Sequence, residues 1–406
     1  MHIEILIELM TNLEQALELL SASAKPFNTE KVKLEKSCGR ILAENIVADR
    51  DYPPFNRASV DGYAISMNDV EKKITQYRVV ETIFAGGYGR FKLRTGECYK
   101  IMTGAAVPES ANALFRVEEA IETENYIVLP ILLAHPFLNI SKKGEDVANG
   151  KVILQKNKVI NIPVISTLAA VGKAEVEVVQ MPNVVIITTG DEVVDVDESV
   201  ELHQIRNSNA YILRAMLAQW QIKPSVIRHI RDSHDAILRA VNKYMDADII
   251  ITTGGVSMGD SDYMPHVFES AGIEKLFHKL NIKPGKPVWV GKKENGPMVF
   301  GLPGNPFSVQ TVFTVLVQHY LNVCSGSSVE FSNSFKIGSE RTKSSKLNEF
   351  FTVRRLKDSN TLVQVNNNGS GDITAGTTSD GIALHPAEVD VLKNGSTVKF
   401  FPFSVS

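Results

Sequence analysis

Two stretches of the chain restrict its fold more than any others: Val184-Val-Ile-Ile-Thr-Thr-Gly190 and Asp248-Ile-Ile-Ile-Thr-Thr-Gly254-Gly255. Each is a short, continuous, β-branched apolar run that stops at glycine. A strand with one wet face alternates apolar and polar residues, so a continuous run means burial on both faces, as in a parallel sheet covered by helices. Between them lie a helical stretch after Asn207, a strand near Pro224 to Ile230, and a helix after Ser233 with Ile237, Leu238, Val241, Tyr244 and Met245 on one face. This β-α-β-α alternation predicts an open, doubly wound α/β domain over about residues 179–328.

The flanking sequence has a different texture. Thr11 and Glu14 read as a capping box ahead of Leu13, Ala16, Leu17 and Leu20, which predicts an opening helix of about three turns. From about Val32 to Ala134 short apolar runs are broken by Gly, Pro and Asn: Tyr77 to Val80, Tyr99 to Met102, Ala113 to Val117 and Tyr126 to Leu129. That predicts a β-rich module. The polar, proline-stiffened segment Pro53 to Ala64 does not read as an ordinary strand. Beyond Val329 the strands shorten again, and Asn394-Gly395 between Val389–Leu392 and Thr397–Phe400 reads as a hairpin turn. The expected architecture is multidomain α/β plus β, and 406 residues allow it at roughly 150 residues per domain.

Lys plus Arg number 43 and Asp plus Glu 46, a net charge of −3, so there is no global basic field for nucleic acid. Cys38, Cys98 and Cys324 stand too far apart for a disulfide framework or a CxxC metal site. The start lacks a basic n-region and no run of 18 apolar residues occurs, so a cytoplasmic protein that does not span a membrane is expected. No G-x-S-x-G elbow is present, and the nine histidines fall at no ligand spacing.

Ligands of open α/β sheets bind beyond the carboxyl ends of the strands, where glycine turns and helix N-termini approach an anion. Here those ends carry Gly190-Asp191-Glu192 and Gly254-Gly255-Val256-Ser257-Met258-Gly259-Asp260-Ser261-Asp262. Glycines beside carboxylates suit a phosphate bridged to the protein by Mg²⁺, since carboxylates alone would repel it. Lys279, Lys283 and Lys286 crowd into a segment stiffened by Pro284 and Pro287, and an anionic ligand would offset their repulsion. Gly301-Leu-Pro303-Gly304-Asn305-Pro306 then opens a helix, with Asn305 suited to the N-cap and Pro306 to the first helical position.

The segments SVDGYA (Asp61), MTGAAVP (Thr103), KGEDV (Asp146), TTGDE, IRNSNAYIL, TTGGVSMGDSDY, KPGKP and GLPGNP, in this order, resemble the molybdopterin molybdenumtransferases, the family that includes the E domain of gephyrin. The resemblance covers essentially the whole chain. It implies an elongated helical domain from residues 1–30 and 144–178, an inserted β domain at 31–143, a molybdopterin-binding-like α/β domain at 179–328 and a C-terminal β-barrel at 329–406. It also implies a homodimer with an active site shared between subunits and transient contact with the molybdopterin adenylyltransferase. The implied reaction inserts molybdenum from molybdate into adenylylated molybdopterin, with Mg²⁺-dependent cleavage of the adenylate and release of AMP.

Carried over by motif, Asp61, Thr103 and Asp146 would line the cleft, Glu192 and Asp262 would serve Mg²⁺ or polarise water, and Lys279 and Lys283 would hold anionic groups. Gly190, Gly254, Gly255, Ser257, Lys286, Pro303 and Asn305 would bind the substrate, with Arg354 and Ser370 approaching from the barrel. The sequence departs from the family at Ala58-Ser59-Val60, where Ser-Ala-Met is usual, and at Met258, where a small apolar residue is commoner. Two other functions stay open. An adenylyltransferase would carry TGGTG where this chain has Thr253-Gly254-Gly255-Val256-Ser257, and a non-catalytic scaffold has no reason to keep Asp61, Asp146, Glu192 and Asp262 all acidic.

Overall fold

The computed structural model describes residues 10–256, 263–327, 332–357, 359–374 and 376–403. Ser257 and Asp262 of the expected site, and Met258, lie outside the described residues. The chain divides into two compact units, one of residues 1–43, 157–162 and 175–406, the other of residues 44–156 and 163–174.

The first unit is built on a six-stranded sheet in the order Val226–Ile230, Val184–Thr189, Ile249–Thr253, Met298–Leu302, Trp289–Lys292, Glu274–His278. The first four strands run parallel, as the continuous apolar runs require; the last two are added through antiparallel pairings and close one edge. Side chains alternate between two cores. Val184, Ile186, Ile249, Ile251 and Phe300 face the helices Leu13–Ser23, Ser208–Ala218 and Pro306–Val312, while Val185, Ile187, Ile250 and Val299 face His234–Lys243 and Met264–Ser270. Both faces are therefore covered, which is why these strands carry no polar alternation.

The opening helix, Leu13–Ser23, is capped one residue later than the sequence suggests. Asn12 accepts from the Glu14 amide, and Gln15 Oε1 returns the bond to the Asn12 amide. The Thr11 amide is instead committed to the carbonyl of Lys279 at 3.1 Å, which takes Thr11 out of the cap.

The C-terminal strands form a closed barrel: Asn348–Arg355, Thr361–Gln364, Asn333–Ile337, Thr397–Pro402 and Gly381–His385 pair in turn, and the last returns to the first. The expected hairpin around Asn394-Gly395 does not form. Val391–Leu392 pairs with Arg341–Thr342, whereas Thr397–Pro402 pairs with Asn333–Ile337 and Gly381–His385, so this turn passes the chain between two sheets. Local turn chemistry sets the reversal; barrel closure chooses the partner. Ile282–Lys283, from the α/β region, adds to the barrel sheet by pairing parallel with Asn348–Glu349.

The second unit holds a six-stranded sheet in the order Ala113–Arg116, Gly62–Ile65, Glu97–Ile101, Gln76–Ile83, Ile127–Val128, Ile121–Glu122. Gly62–Ile65, within the segment read as unsuited to a strand, is an interior strand with all four residues buried. Pro53 and Pro54 precede it and leave its own backbone donors free to pair. Gly62 is required there, because a Cβ would lie 1.7 Å from the Phe115 carbonyl oxygen. Helices are few: between residues 144 and 178 the described helix is Ile162–Ala170, accompanied by the strands Val152–Leu154 and Glu175–Val179. No helix among the described residues is long and apolar enough to cross a membrane.

Gly62→Ala is expected to destabilise this unit by about 2 kcal/mol or more, read as a lower denaturation midpoint. An unchanged unfolding curve would show that the Phe115 carbonyl does not approach so closely.

Candidate functional site

Strand register builds the site. Thr188 lies beside Thr253, Thr253 beside Leu302 and Thr189 beside Ile230, so four parallel strands end level. The residues that follow, Gly190-Asp191-Glu192, Asp232, Gly254-Gly255 and Pro303-Gly304-Asn305, emerge along one edge of the sheet. Gly254 packs so closely that a Cβ would sit 2.8 Å from Thr189 Oγ1, and its φ of +94° independently excludes most side chains.

Two asparagines from the IRNSNAYIL segment tie this edge together. Asn207 caps the Ser208–Ala218 helix through Oδ1 and donates to Thr188 Oγ1 at 2.8 Å, and Asn209 Nδ2 donates to the Gly304 carbonyl at 2.7 Å. Asn305 stands at the N-cap position of Pro306–Val312, but its side chain does not cap. It donates to Ser370 Oγ at 2.9 Å, and the Ser370 carbonyl accepts from the Phe307 amide at 3.3 Å. A barrel loop thus performs the capping that the sequence assigned to Asn305.

Above this edge a cleft of about 900 Å³ opens between the α/β layer and the barrel. Its lining brings together Glu192, Gly254, Gly255, Lys283, Lys286, Pro303, Asn305 and Ser370 from the expected set. Gly190 lies just behind, where a Cβ would come within 3.0 Å of the Glu192 carboxylate. Lys279 and Arg354 are not on the lining. Lys279 is held by its backbone, whose amide donates to Val288 and whose carbonyl accepts from Thr11. Arg354 is exposed at the far end of Asn348–Arg355.

Three charged residues had not been singled out from the sequence. Asp232 follows the Val226–Ile230 strand, and its amide donates to Asp191 Oδ1 at 3.1 Å. Burial and then the neighbouring charges of Asp191 and Glu192 push its carboxyl above the ordinary range, against a hydrogen bond from Thr189. The strand-end rule, applied to Val226–Ile230 as well, would have found it. The other two, Arg341 and Glu349, line the cleft from the barrel. Glu349 Oε2 pairs with Arg341 at 2.7 Å, while Oε1 accepts from Ser345 at 2.8 Å and lies 3.4 Å from Lys283 Nζ. No local pattern announces this pair, because the two residues lie on strands with different partners, Val391–Leu392 for Arg341 and Ile282–Lys283 for Glu349.

Beside the pair, His385 Nε2 lies 2.8 Å from the Val389 carbonyl and Nδ1 lies 2.6 Å from Arg341. Burial and the Arg341 charge hold its pKa below the ordinary value, so the ring is neutral, donating at Nε2 and accepting at Nδ1.

Asp61, Thr103 and Asp146 belong to the other unit. Asp61 precedes the Gly62–Ile65 strand, Thr103 follows the neighbouring Glu97–Ile101 strand, and the Gly62–Ile101 pairing brings them together. Asp61 Oδ1 accepts from the Thr103 amide at 2.6 Å and from Thr103 Oγ1 at 2.7 Å. Those two bonds, the backbone one foremost, hold the exposed Asp61 carboxyl below the usual aspartate range. Asp146 lies in an exposed turn whose amide donates to the Tyr52 carbonyl at 2.9 Å.

Glycine turns, two lysines, an arginine and two carboxylates around one cleft are chemistry suited, in an α/β protein, to anionic, phosphate-bearing ligands. Residues 11–172 match the MoeA N-terminal region (domain I and II), and residues 185–323 match the probable molybdopterin binding domain. Proteins named molybdopterin molybdenumtransferase from Staphylococcus aureus and Staphylococcus epidermidis are 34% and 32% identical to this chain, each over 90% of it and 89% of the relative. The crystal structure of a molybdopterin biosynthesis moeA protein from Pyrococcus horikoshii matches with a TM-score of 0.82 at 29% identity, covering 98% of this chain and 100% of that one. The chain belongs to the molybdopterin molybdenumtransferase family.

Thr103→Val removes the smaller of the two bonds to Asp61, so the Asp61 pKa should rise part of the way to its ordinary value in a carboxyl NMR titration. The sign for stability follows from a depressed folded pKa: the contribution is present above the unfolded pKa and is lost as pH falls through the folded one. The variant should therefore lose stability relative to the parent at neutral pH, and that difference should vanish in acid. A pKa unmoved by the substitution would place the shift elsewhere.

Proposed function

We propose that this enzyme inserts molybdenum from molybdate into adenylylated molybdopterin and, in a Mg²⁺-dependent step, cleaves the adenylate and releases AMP. The observation that carries the reading is the cleft itself, where Lys283 and Lys286 face the glycine turns and Glu192 across a volume of about 900 Å³. A pterin dithiolene bearing a phosphoanhydride and a tetrahedral oxyanion are both anionic and repel each other in water. Convergent lysines attract both, and holding them in one cleft replaces a bimolecular encounter with a positioned one.

The residues present fit a magnesium ion. No three metal-ligating side chains converge among the described residues, but Mg²⁺ commonly takes one or two carboxylates together with substrate phosphates. Asp232, whose carboxyl is pushed up first by burial and then by the charges of Asp191 and Glu192, stands with them as a cluster of carboxylates whose repulsion a divalent cation would offset. Glu192 and Asp232 would hold the ion, with Asp262, outside the described residues, as a further carboxylate. Bound there, Mg²⁺ would neutralise phosphoryl oxygens as charge develops on them.

The protein's own groups do the rest. Lys283 and Lys286 bind the oxyanion, the glycine turn at Gly254-Gly255 lets phosphate oxygens approach where a side chain would block them, and Asn305 with Ser370 offers amide and hydroxyl donors. No covalent nucleophile is needed. Incubation of the full chain with adenylylated molybdopterin, molybdate and Mg²⁺ should release AMP, chelation should stop it, and Glu192→Gln should lower its rate at least tenfold. Lys283→Ala and Lys286→Ala should raise the molybdate concentration needed for half-saturation. AMP release indifferent to both chelation and Glu192→Gln would overturn the metal-assisted reading.

A homodimer with a site shared between subunits, implied by the family resemblance, is part of the same proposal. Randomly mixed Asp61→Asn and Glu192→Gln chains form about half heterodimers, and in each of these one site is intact and the other carries both changes. Activity near a quarter of the parent's is expected on co-refolding. No recovery, with heterodimers confirmed by native mass spectrometry, would assign both residues to one chain.

A further inference from the structure

The cleft that would receive oxyanions already contains a buried carboxylate. Glu349 has a side chain 9% exposed, and its three neighbours hold it unequally. Arg341, itself 13% exposed, is 2.7 Å from Oε2 and stacks over the Phe351 ring at 4.3 Å, and Ser345 is 2.8 Å from Oε1. Lys283 is the outlying partner: its Nζ is 3.4 Å from Oε1 and its side chain is 60% exposed. Arg341 and Ser345 between them engage both carboxylate oxygens, so Lys283 can leave without stranding the charge. Lys283 stays nearby because its backbone is paired in register with Glu349 in the barrel sheet. Lys286, three residues on, lines the same cleft and has no acidic partner among the described residues.

We propose that Glu349 is a resident counter-anion that competes with incoming oxyanions for Lys283 and so sets the affinity of the cleft for them. An oxyanion bridging Lys283 and Lys286 takes the lysine from Glu349, and when product leaves, the lysine returns. The carboxylate stays ionised throughout: burial raises its pKa, but the bonds from Arg341 and Ser345 and the charge of Lys283 together hold it below the ordinary glutamate value. The exposed, long Lys283 contact is weak, as solvent-screened ion pairs are. The carboxylate therefore tunes oxyanion binding without blocking it.

The inference rests on the oxyanion-binding reading of the cleft, and the two can fail separately. Inorganic phosphate and molybdate serve as probes, titrated calorimetrically into the full chain at fixed ionic strength. Glu349→Gln keeps the shape and a hydrogen-bonding oxygen but removes the competing charge. It should lower the dissociation constant for both probes by about two- to fivefold, the range expected when an exposed ion pair is relieved. Ser345→Ala keeps the charge and should leave affinity within twofold. If Glu349→Gln does not fold, Glu349→Asp, whose shorter side chain keeps the charge but draws it back from Lys283, should still tighten phosphate binding. Unchanged or weaker binding in a folded variant overturns the proposal. If instead Lys283→Ala with Lys286→Ala leaves phosphate affinity unaltered in the parent chain, the cleft does not bind oxyanions there, and both readings fall.

Discussion

The level ending of the parallel strands is the constraint on which the α/β site depends. Thr189, Thr253 and Leu302 stop within a residue of one another because Val184–Thr189, Ile249–Thr253 and Met298–Leu302 are locked in register by burial on both faces. A slip by one residue would exchange the two cores, turning Ile186, Ile251 and Phe300 toward the wrong helices. The packing that stabilises the sheet therefore also aligns the glycine turns and carboxylates beyond it. Gly254 shows the tolerance: its α-carbon fits against Thr189 with no room for a methyl group.

The barrel contributes to the same cleft through a strand that is not its own. Ile282–Lys283 leaves the α/β region and pairs with Asn348–Glu349, while Phe350 and Ile382 of the barrel join the hydrophobic core of the α/β layer. A lysine on a flexible loop would spend most of its time in solvent. Held in a strand, Lys283 is presented at one place, opposite a carboxylate that Arg341 and Ser345 already secure. Ser370 plays a parallel part, because its carbonyl satisfies the first turn of the Pro306–Val312 helix and its hydroxyl receives Asn305. Charge and capping thus fasten barrel to sheet around the cavity.

In the other unit the same logic runs through an antiparallel pair. Gly62 opposite Ile101 sets Asp61 beside Thr103, and the absence of a side chain at Gly62 admits the Phe115 carbonyl. The Asp-Gly order in SVDGYA therefore joins the Asp61 carboxylate to the glycine that lets its strand enter the sheet. Membership of the molybdopterin molybdenumtransferase family accords with both units, since the matched regions span residues 11–172 and 185–323.

Sequence alone was enough for the doubly wound domain, the β-rich module and part of the cleft lining, because these rest on local signals. Apolar runs ending in glycine mark buried parallel strands, and the KPGKP and GLPGNP segments carry their chemistry in adjacent residues. The ordered set of motifs was enough for the family. Tertiary structure decided what depends on partners distant in the chain. It moved the cap from Thr11 to Asn12, because the Thr11 amide is bound to Lys279. It made Gly62–Ile65 an interior strand despite the prolines before it, and sent the strand after Asn394-Gly395 to Asn333–Ile337. It also placed Arg341 and Glu349, rather than Arg354, on the cleft, because only the Asn348–Glu349 end of that strand pairs with Ile282–Lys283 from the α/β region, and that partner is distant in sequence.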